Sequence, residues 1–138
     1  MEDRLLTVLA DHTHGVVVAL KRDGRPQLSN VSYTYDPQTR LIRVSIRDGL
    51  AKTANLRRDP RASLYVTSAD FRSYVVAEGE ASLSPVAAAT DDPVVTELID
   101  VYRRIAGEHP DWDDYRTAMV RDNRVVLTIP VTRVYGMA

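Results

Sequence analysis

Turn-forming pairs recur along the first 60 residues of this chain, and no other feature narrows its fold as much. Asp23-Gly24 favours the positive φ angles of a tight hairpin turn. In Asp36-Pro37 and Asp59-Pro60 the proline ring fixes φ and pushes the residue before it out of helical geometry. The stretches bounded by the first two pairs read as strands. Residues 15–21 are rich in valine, and residues 26–35 alternate in part. Over 41–46, Ile42, Val44 and Ile46 share one face while Leu41, Arg43 and Ser45 share the other, the period of a strand covered on one side. These three strands are expected to form a meander. Strands resume at 62–67 and 73–83, the second carrying Glu78-Gly79-Glu80, where the glycine marks a bulge or a close backbone approach. A final strand is expected over 124–135.

Helical spacing fills the intervals. Leu5, Leu6 and Leu9 predict a short helix over residues 1–10, and residues 51–58 predict another that stops at Asp59-Pro60. From Pro93 the period changes. Val94, Leu98, Tyr102 and Ala106 recur at four-residue spacing beside Val95, Ile99 and Ile105, opposite Glu97, Asp100, Arg103 and Arg104. Asp111 is placed to cap a further helix reaching Arg121, with Asp114 three residues on. Six strands and about four helices over 138 residues fit one domain, mainly β with helices (α+β), as an antiparallel barrel with helices at its ends. No repeat or low-complexity tract interrupts it.

Composition removes several function classes. Charged residues make up 27% and the hydrophobic set 44%, as in soluble globular proteins, and no apolar run approaches the roughly 20 residues of a membrane helix. Met1-Glu2-Asp3-Arg4 lacks the basic start and apolar core of a secretion signal, so a cytoplasmic protein is expected. A net charge of -1 gives no general attraction to nucleic acid. Without cysteine there is no thiolate nucleophile, and any redox chemistry belongs to a borrowed cofactor. His12, His14 and His109 have no acid at a metal-ligand spacing, so no metal site is expected. Asp91, Asp92, Asp111, Asp113 and Asp114 lack the order of a calcium loop and read as helix caps. Trp112 reads as a packing anchor, and Ser29 and Ser32 sit in no nucleophile elbow.

One stretch is suited to hold an anion. In Ser45-Ile46-Arg47-Asp48-Gly49-Leu50-Ala51-Lys52-Thr53-Ala54-Asn55 a strand gives way to a helix whose first turn carries a lysine. A helix N-terminus presents unpaired amides and the positive end of its dipole, and Lys52 adds a full charge. On these residues alone Lys52 reads more readily as a solvated helix residue than as a phosphate ligand. Gly49 before Lys52-Thr53 is no P-loop, and no Gly-x-Gly-x-x-Gly fingerprint occurs.

The runs Asp23-Gly24-Arg25-Pro26-Gln27-Leu28-Ser29-Asn30, Ala51-Lys52-Thr53-Ala54-Asn55-Leu56-Arg57-Arg58-Asp59-Pro60-Arg61-Ala62 and Ala77-Glu78-Gly79 resemble the pyridoxamine-phosphate-oxidase-like split barrels. Within them, Tyr102-Arg103 with Ile105-Ala106-Gly107-Glu108-His109, and Asp111-Trp112-Asp113-Asp114-Tyr115-Arg116, resemble the actinobacterial F420-dependent reductases of the B group. The resemblance implies a six-stranded antiparallel split β-barrel of the FMN-binding type and a reductase acting on a small organic substrate. Its cofactor would be coenzyme F420, with FMN as the alternative within the fold and a non-catalytic F420 carrier as the alternative outside catalysis. It gives the cofactor phosphate to Lys52 at the start of the helix, beside Leu50 and Ala51, with Thr53 and Asn55 assisting. Ser45 and Ile46 are expected along the ring, and Arg25, Pro26 and Gln27 at its other edge. Close relatives often carry arginine where this chain has Leu50, which leaves that contact absent or supplied by Arg47. A homodimer is implied, with Arg72 and Tyr74 reaching the partner's cofactor. Arg57, Arg58 and Arg61 are candidate cations for an anionic tail, and Tyr33, Tyr35 and Tyr74 are candidate proton donors as well as ordinary strand aromatics.

Overall fold

The structure is a computed structural model that describes residues 2–138. Helix α1 (Glu2–Ala10) leads into strands β1 (His14–Leu20), β2 (Pro26–Ser32), β3 (Thr34–Asp36) and β4 (Leu41–Arg47). Met1, the expected start of that helix, lies outside the described residues. After α2 (Ala51–Arg58) come β5 (Arg61–Thr67), β6 (Tyr74–Glu80) and β7 (Ser82–Leu83), then α3 (Pro93–Ala106) and α4 (Trp112–Arg121), and finally β8 (Arg124–Pro130) and β9 (Arg133–Met137). The hairpin at Asp23-Gly24 forms as the sequence implies: Gly24 takes φ +84° and its amide donates to the Lys21 carbonyl at 2.9 Å.

The strand inventory corrects the six strands expected of the split barrel. Among the described residues nine strands form two antiparallel sheets, five-stranded β2-β1-β5-β6-β9 and four-stranded β3-β4-β8-β7. The excess arises because three long extended runs each change sheet at a corner, so that β2/β3, β6/β7 and β8/β9 are halves of single runs. Each corner keeps its backbone amides paired. At the first, Tyr33 is fully buried, its amide donates to the Thr13 carbonyl at 2.8 Å and its hydroxyl to the Leu9 carbonyl at 2.6 Å. At the second, the Ala81 amide donates to Pro60 at 2.7 Å. At the third, Val131 donates to Arg40 and Thr132 to Glu78, both at 2.9 Å. Gly79 is the close approach: a Cβ built there would lie 2.0 Å from the Pro130 carbonyl oxygen, so only glycine lets β6 pass the end of β8.

The space between the sheets holds the larger core. Val17, Ile42, Val44, Leu64, Val66, Val75, Leu127 and Ile129 fill it, each no more than 1% exposed, with Leu5 and Leu9 of α1 and Leu56 of α2 packed against them. A smaller core lies on the outer face of β4 and β8, where Val94, Val95, Leu98 and Ile99 of α3 meet Tyr115 and Met119 of α4 and Val126 of β8. Consecutive burial of Val125, Val126 and Leu127 follows, since β8 has a core on either side. Arg43 pins α3 to β4 by donating to Asp100 at 2.6 Å, and Asp100 also accepts from Arg104 at 3.0 Å. Pro93 opens α3 at its first position, Gly107 closes it at φ +81°, and the Asp111 carboxylate caps α4 by accepting from the Asp114 amide at 3.1 Å. The capping expected of Asp92 takes another form: its carboxylate accepts from the Ala88 and Ala89 amides, holding the loop before α3.

Candidate functional site

The junction between β4 and α2 is tied down on every side except one. Thr53 is fully buried and its hydroxyl donates to the Arg47 carbonyl at 2.6 Å, binding the first turn of α2 to the end of the strand. The Asp48 amide donates to Asn123 at 2.9 Å, and the Asp48 carboxylate pairs with Arg57. Leu50 stands at the N-cap without a side-chain hydrogen bond, so no side chain of the loop covers the first amides of the helix. This end faces a groove of about 560 Å³.

Three cations line the groove: Arg47, Lys52 and Arg124. Arg47 and Arg124 are direct cross-strand partners of β4 and β8, an arrangement in which like charges repel. Burial, and then Arg124, lower the pKa of Lys52 from its ordinary value. Arg124 is itself lowered by burial and by Arg47. Its Nη1 donates to the Ser45 carbonyl at 3.2 Å, while its buried Nε has no partner. The counter-charge is Asp122, which lies 3.2 Å from Arg121 and 3.7 Å from Arg47, and whose pKa is lowered first by its hydrogen bond with Arg121. The rest of the wall is apolar and aromatic, formed by Val101, Tyr102, Ile105 and Ala106 of α3 and by Tyr115 and Met119 of α4. The Tyr115 hydroxyl donates to the Leu98 carbonyl at 2.9 Å, and burial pushes its pKa up to about 12. Tyr102 sits in a box of rings, 5.2 Å from His109, 5.7 Å from Trp112 and 5.1 Å from Tyr115. Trp112 anchors that box, with Arg103 at 4.7 Å over its ring and its Nε1 donating to Glu108 at 3.0 Å.

A cationic mouth on an apolar groove, held between a helix N-terminus and the outer face of a split sheet, is the geometry to set beside known proteins. The family model for pyridoxamine 5'-phosphate oxidase matches residues 1–138. The chain belongs to that family. Within it, this member is 28% identical over 138 residues to the F420H(2)-dependent biliverdin reductase of Mycobacterium tuberculosis (strain CDC 1551 / Oshkosh), covering 100% of this chain and 89% of the relative. Among solved structures it resembles an F420 reductase, with TM-score 0.71, 18% identity and 94% of each chain covered. It also resembles a conserved hypothetical protein from Mycobacterium tuberculosis, with TM-score 0.74, 22% identity and coverage of 99% of this chain and 84% of that one. The resemblance to split-barrel F420-dependent reductases read from the sequence motifs thus agrees with independent likenesses in sequence and in fold.

For this family member the groove gathers Ser45, Ile46, Arg47, Leu50 and Lys52. Ala51 is exposed on the first turn beside it. Asn55 and Gln27 stand apart from the lining and bond to each other, Nδ2 to Oε1 at 2.7 Å, joining α2 to β2, with Arg25 and Pro26 exposed just before. Arg72 and Tyr74 lie at the β5–β6 hairpin. Tyr74 packs 5.9 Å from Tyr65, which lines a second groove of about 530 Å³ that shares Asn30, Val31 and Ser32 with the first. The three further arginines are locally engaged: Arg57 with Asp48, Arg58 with Asn55 and the Leu20 carbonyl, and Arg61 with Asp59. Tyr33 and Tyr35 are 0% and 9% exposed and line neither groove, so neither is placed to deliver a proton there. No group of three or more His, Cys, Asp or Glu side chains comes together to hold a metal among the described residues. No helix among them is long and apolar enough to cross a membrane. Sequence reasoning missed Arg124 and the wall from Tyr102 to Met119. The available signal for Arg124 was its place at the start of a strand, but only the register sets it opposite Arg47.

Proposed function

We propose that this protein is an F420-dependent reductase. The observation that carries the reading is the joining, in one groove of about 560 Å³, of the open α2 N-terminus and Lys52 with the apolar and aromatic side chains of α3 and α4. The name of the 28%-identical relative supports the deazaflavin over FMN. The residues fit such a group: phosphate and carboxylate tails want cations and free amides, and a tricyclic ring wants the apolar side chains of α3 and α4. When bound and reduced, F420 supplies a hydride to an acceptor such as an activated carbon–carbon double bond.

The chain's own residues then do the positioning. Lys52 and the first amides of α2 would hold the anionic tail, Ser45 and Ile46 would line the ring's place in the groove, and Tyr102, Ile105 and Met119 would keep water from it. Thr53 acts through its bond to Arg47, fixing the angle at which α2 meets β4, and Asn55 with Gln27 keeps α2 against β2. Alignment of this kind supplies most of the rate when the cofactor carries the chemistry. A cytoplasmic homodimer formed from single-domain subunits belongs to the same reading, with Arg72 and Tyr74 near the second subunit's ring.

Fluorescence titration with F420 and with FMN tests it. Micromolar or tighter binding of F420, weakened at least tenfold by Lys52→Ala, is expected, since a charged phosphate contact is worth over about 1.4 kcal/mol. Tighter binding of FMN would replace the deazaflavin with the flavin. Binding of F420 without oxidation of its reduced form by any enone or quinone would favour a carrier.

A further inference from the structure

Arg124 carries an unspent binding capacity. It begins β8, is half-buried, and uses Nη1 on the Ser45 carbonyl, while its Nε is shut away from solvent without a partner. Leaving such a donor unpaired costs more than omitting it, and a buried cation costs more still. The surroundings sharpen the anomaly. Arg47 faces it directly across the β4–β8 ladder, Lys52 lines the same groove, and Asp122, the acid paired with Arg47, is shared with Arg121. A purely structural role accounts for little of this, because the β4–β8 ladder already runs in register from Leu41↔Pro130 to Arg47↔Arg124.

We propose that Arg124, together with Arg47, is an oxyanion-binding residue of the groove, receiving a carboxylate or phosphate group carried by a flat conjugated molecule that lies against Tyr102 and Met119. The guanidinium is suited to this, since its planar fork matches a carboxylate or phosphate in two parallel hydrogen bonds. The site does not depend on which cofactor the protein uses. The oxyanion has two possible sources, the tail of a cofactor and a carboxylate of the acceptor, and they share one chemistry.

The test uses the full chain with two defined probes, inorganic pyrophosphate for the tail and 2-naphthoate for a carboxylate on a flat ring. The Arg124 Nε–H resonance, assigned by its absence in Arg124→Lys, is expected to shift on addition of at least one probe to the wild type. Arg124→Met is expected to weaken that probe at least tenfold while its Tm stays at or above the wild-type value, because an apolar side chain removes a half-buried cation whose Nε has no partner. Loss of pyrophosphate binding in both Arg124→Met and Lys52→Ala assigns the residue to the tail. Loss of naphthoate binding in Arg124→Met alone assigns it to the acceptor. A resonance that moves with neither probe overturns the proposal, as does wild-type affinity for both in Arg124→Met. Neither probe is F420 or FMN, so a failure of the cofactor reading would leave this result intact.

Discussion

The two faces of β4 follow opposite rules. Inward, Ile42, Val44 and Ile46 are at most 2% exposed and belong to the larger core, so each contributes through area removed from water and close packing, while Ile46, at the end of the strand, also lines the groove. Outward, Arg43, Ser45 and Arg47 run from a charge that is fully answered to one that is not. Arg43 is clasped by Asp100, whereas Arg47 shares one carboxylate with Arg121 and faces Arg124. The inner face therefore carries the stability of the fold, and the far end of the outer face keeps charge available for something that arrives from outside. Function sits where the strand's own interactions are left incomplete.

The comparison breaks most easily from the inside. Ile42→Ala is expected to cost about 2–5 kcal/mol of folding stability, by lost transfer free energy and the cavity left behind, with little change in anion affinity while the protein stays folded. Urea denaturation and pyrophosphate titration of the same variant check the two halves. Anion affinity that falls in step with stability would mean the faces are coupled. On the outer face, Asp100→Asn removes the answer to Arg43 and is expected to cost about 1–2 kcal/mol, discounted because Asp100 is half exposed. That variant sharpens the contrast: if α3 shifts, binding of a flat apolar ligand against Tyr102 and Ile105 falls too, and denaturation followed beside ligand titration separates the effects.

The inner face was also the legible one. Period-two alternation in residues 41–46 gives β4 and its buried set directly, and the four-residue spacing from Val94 gives α3, because both patterns are local consequences of backbone geometry. The corners were not legible. Nothing local marks Tyr33, Ala81 or Val131 as the points where strands change sheet, since their amides are paired by residues far along the chain, and so the nine strands read as six. The groove divides in the same way. Arg47, Leu50 and Lys52 lie within one local junction and could be read together, whereas Arg124 joins them only through a register 77 positions away from Arg47, and Tyr102 only through the docking of α3 that Arg43 and Asp100 enforce. Asn55 shows the converse: three positions from Lys52, it stands outside the groove lining and donates to Gln27 of β2.

The smallest expected effect concerns pH and isolates the unanswered charge itself. Burial, reinforced by Arg124, lowers the pKa of Lys52 below the ordinary lysine value of 10.5. For a cationic group this means that the folded state disfavours the charged form. The penalty is present at pH values below the lowered pKa and fades as pH rises toward the unfolded value. Anion binding has the opposite dependence, because it needs the charge. Affinity should therefore begin to fall at a lower pH than a solvated lysine would allow, and a bound anion should draw a proton back onto the amine. Titrations between pH 7 and 10 with sulfate, an oxyanion that does not itself ionise in that range, repeated in buffers of different ionisation enthalpy, read both the fall and the proton uptake. Arg124→Met removes the second cause of the shift and should move the fall toward higher pH, even where it weakens binding overall. An affinity that stays flat to pH 10 in the wild type would show that the Lys52 amine contributes no charge to the ligand, and the outer face of β4 would then owe its anion to the arginines alone.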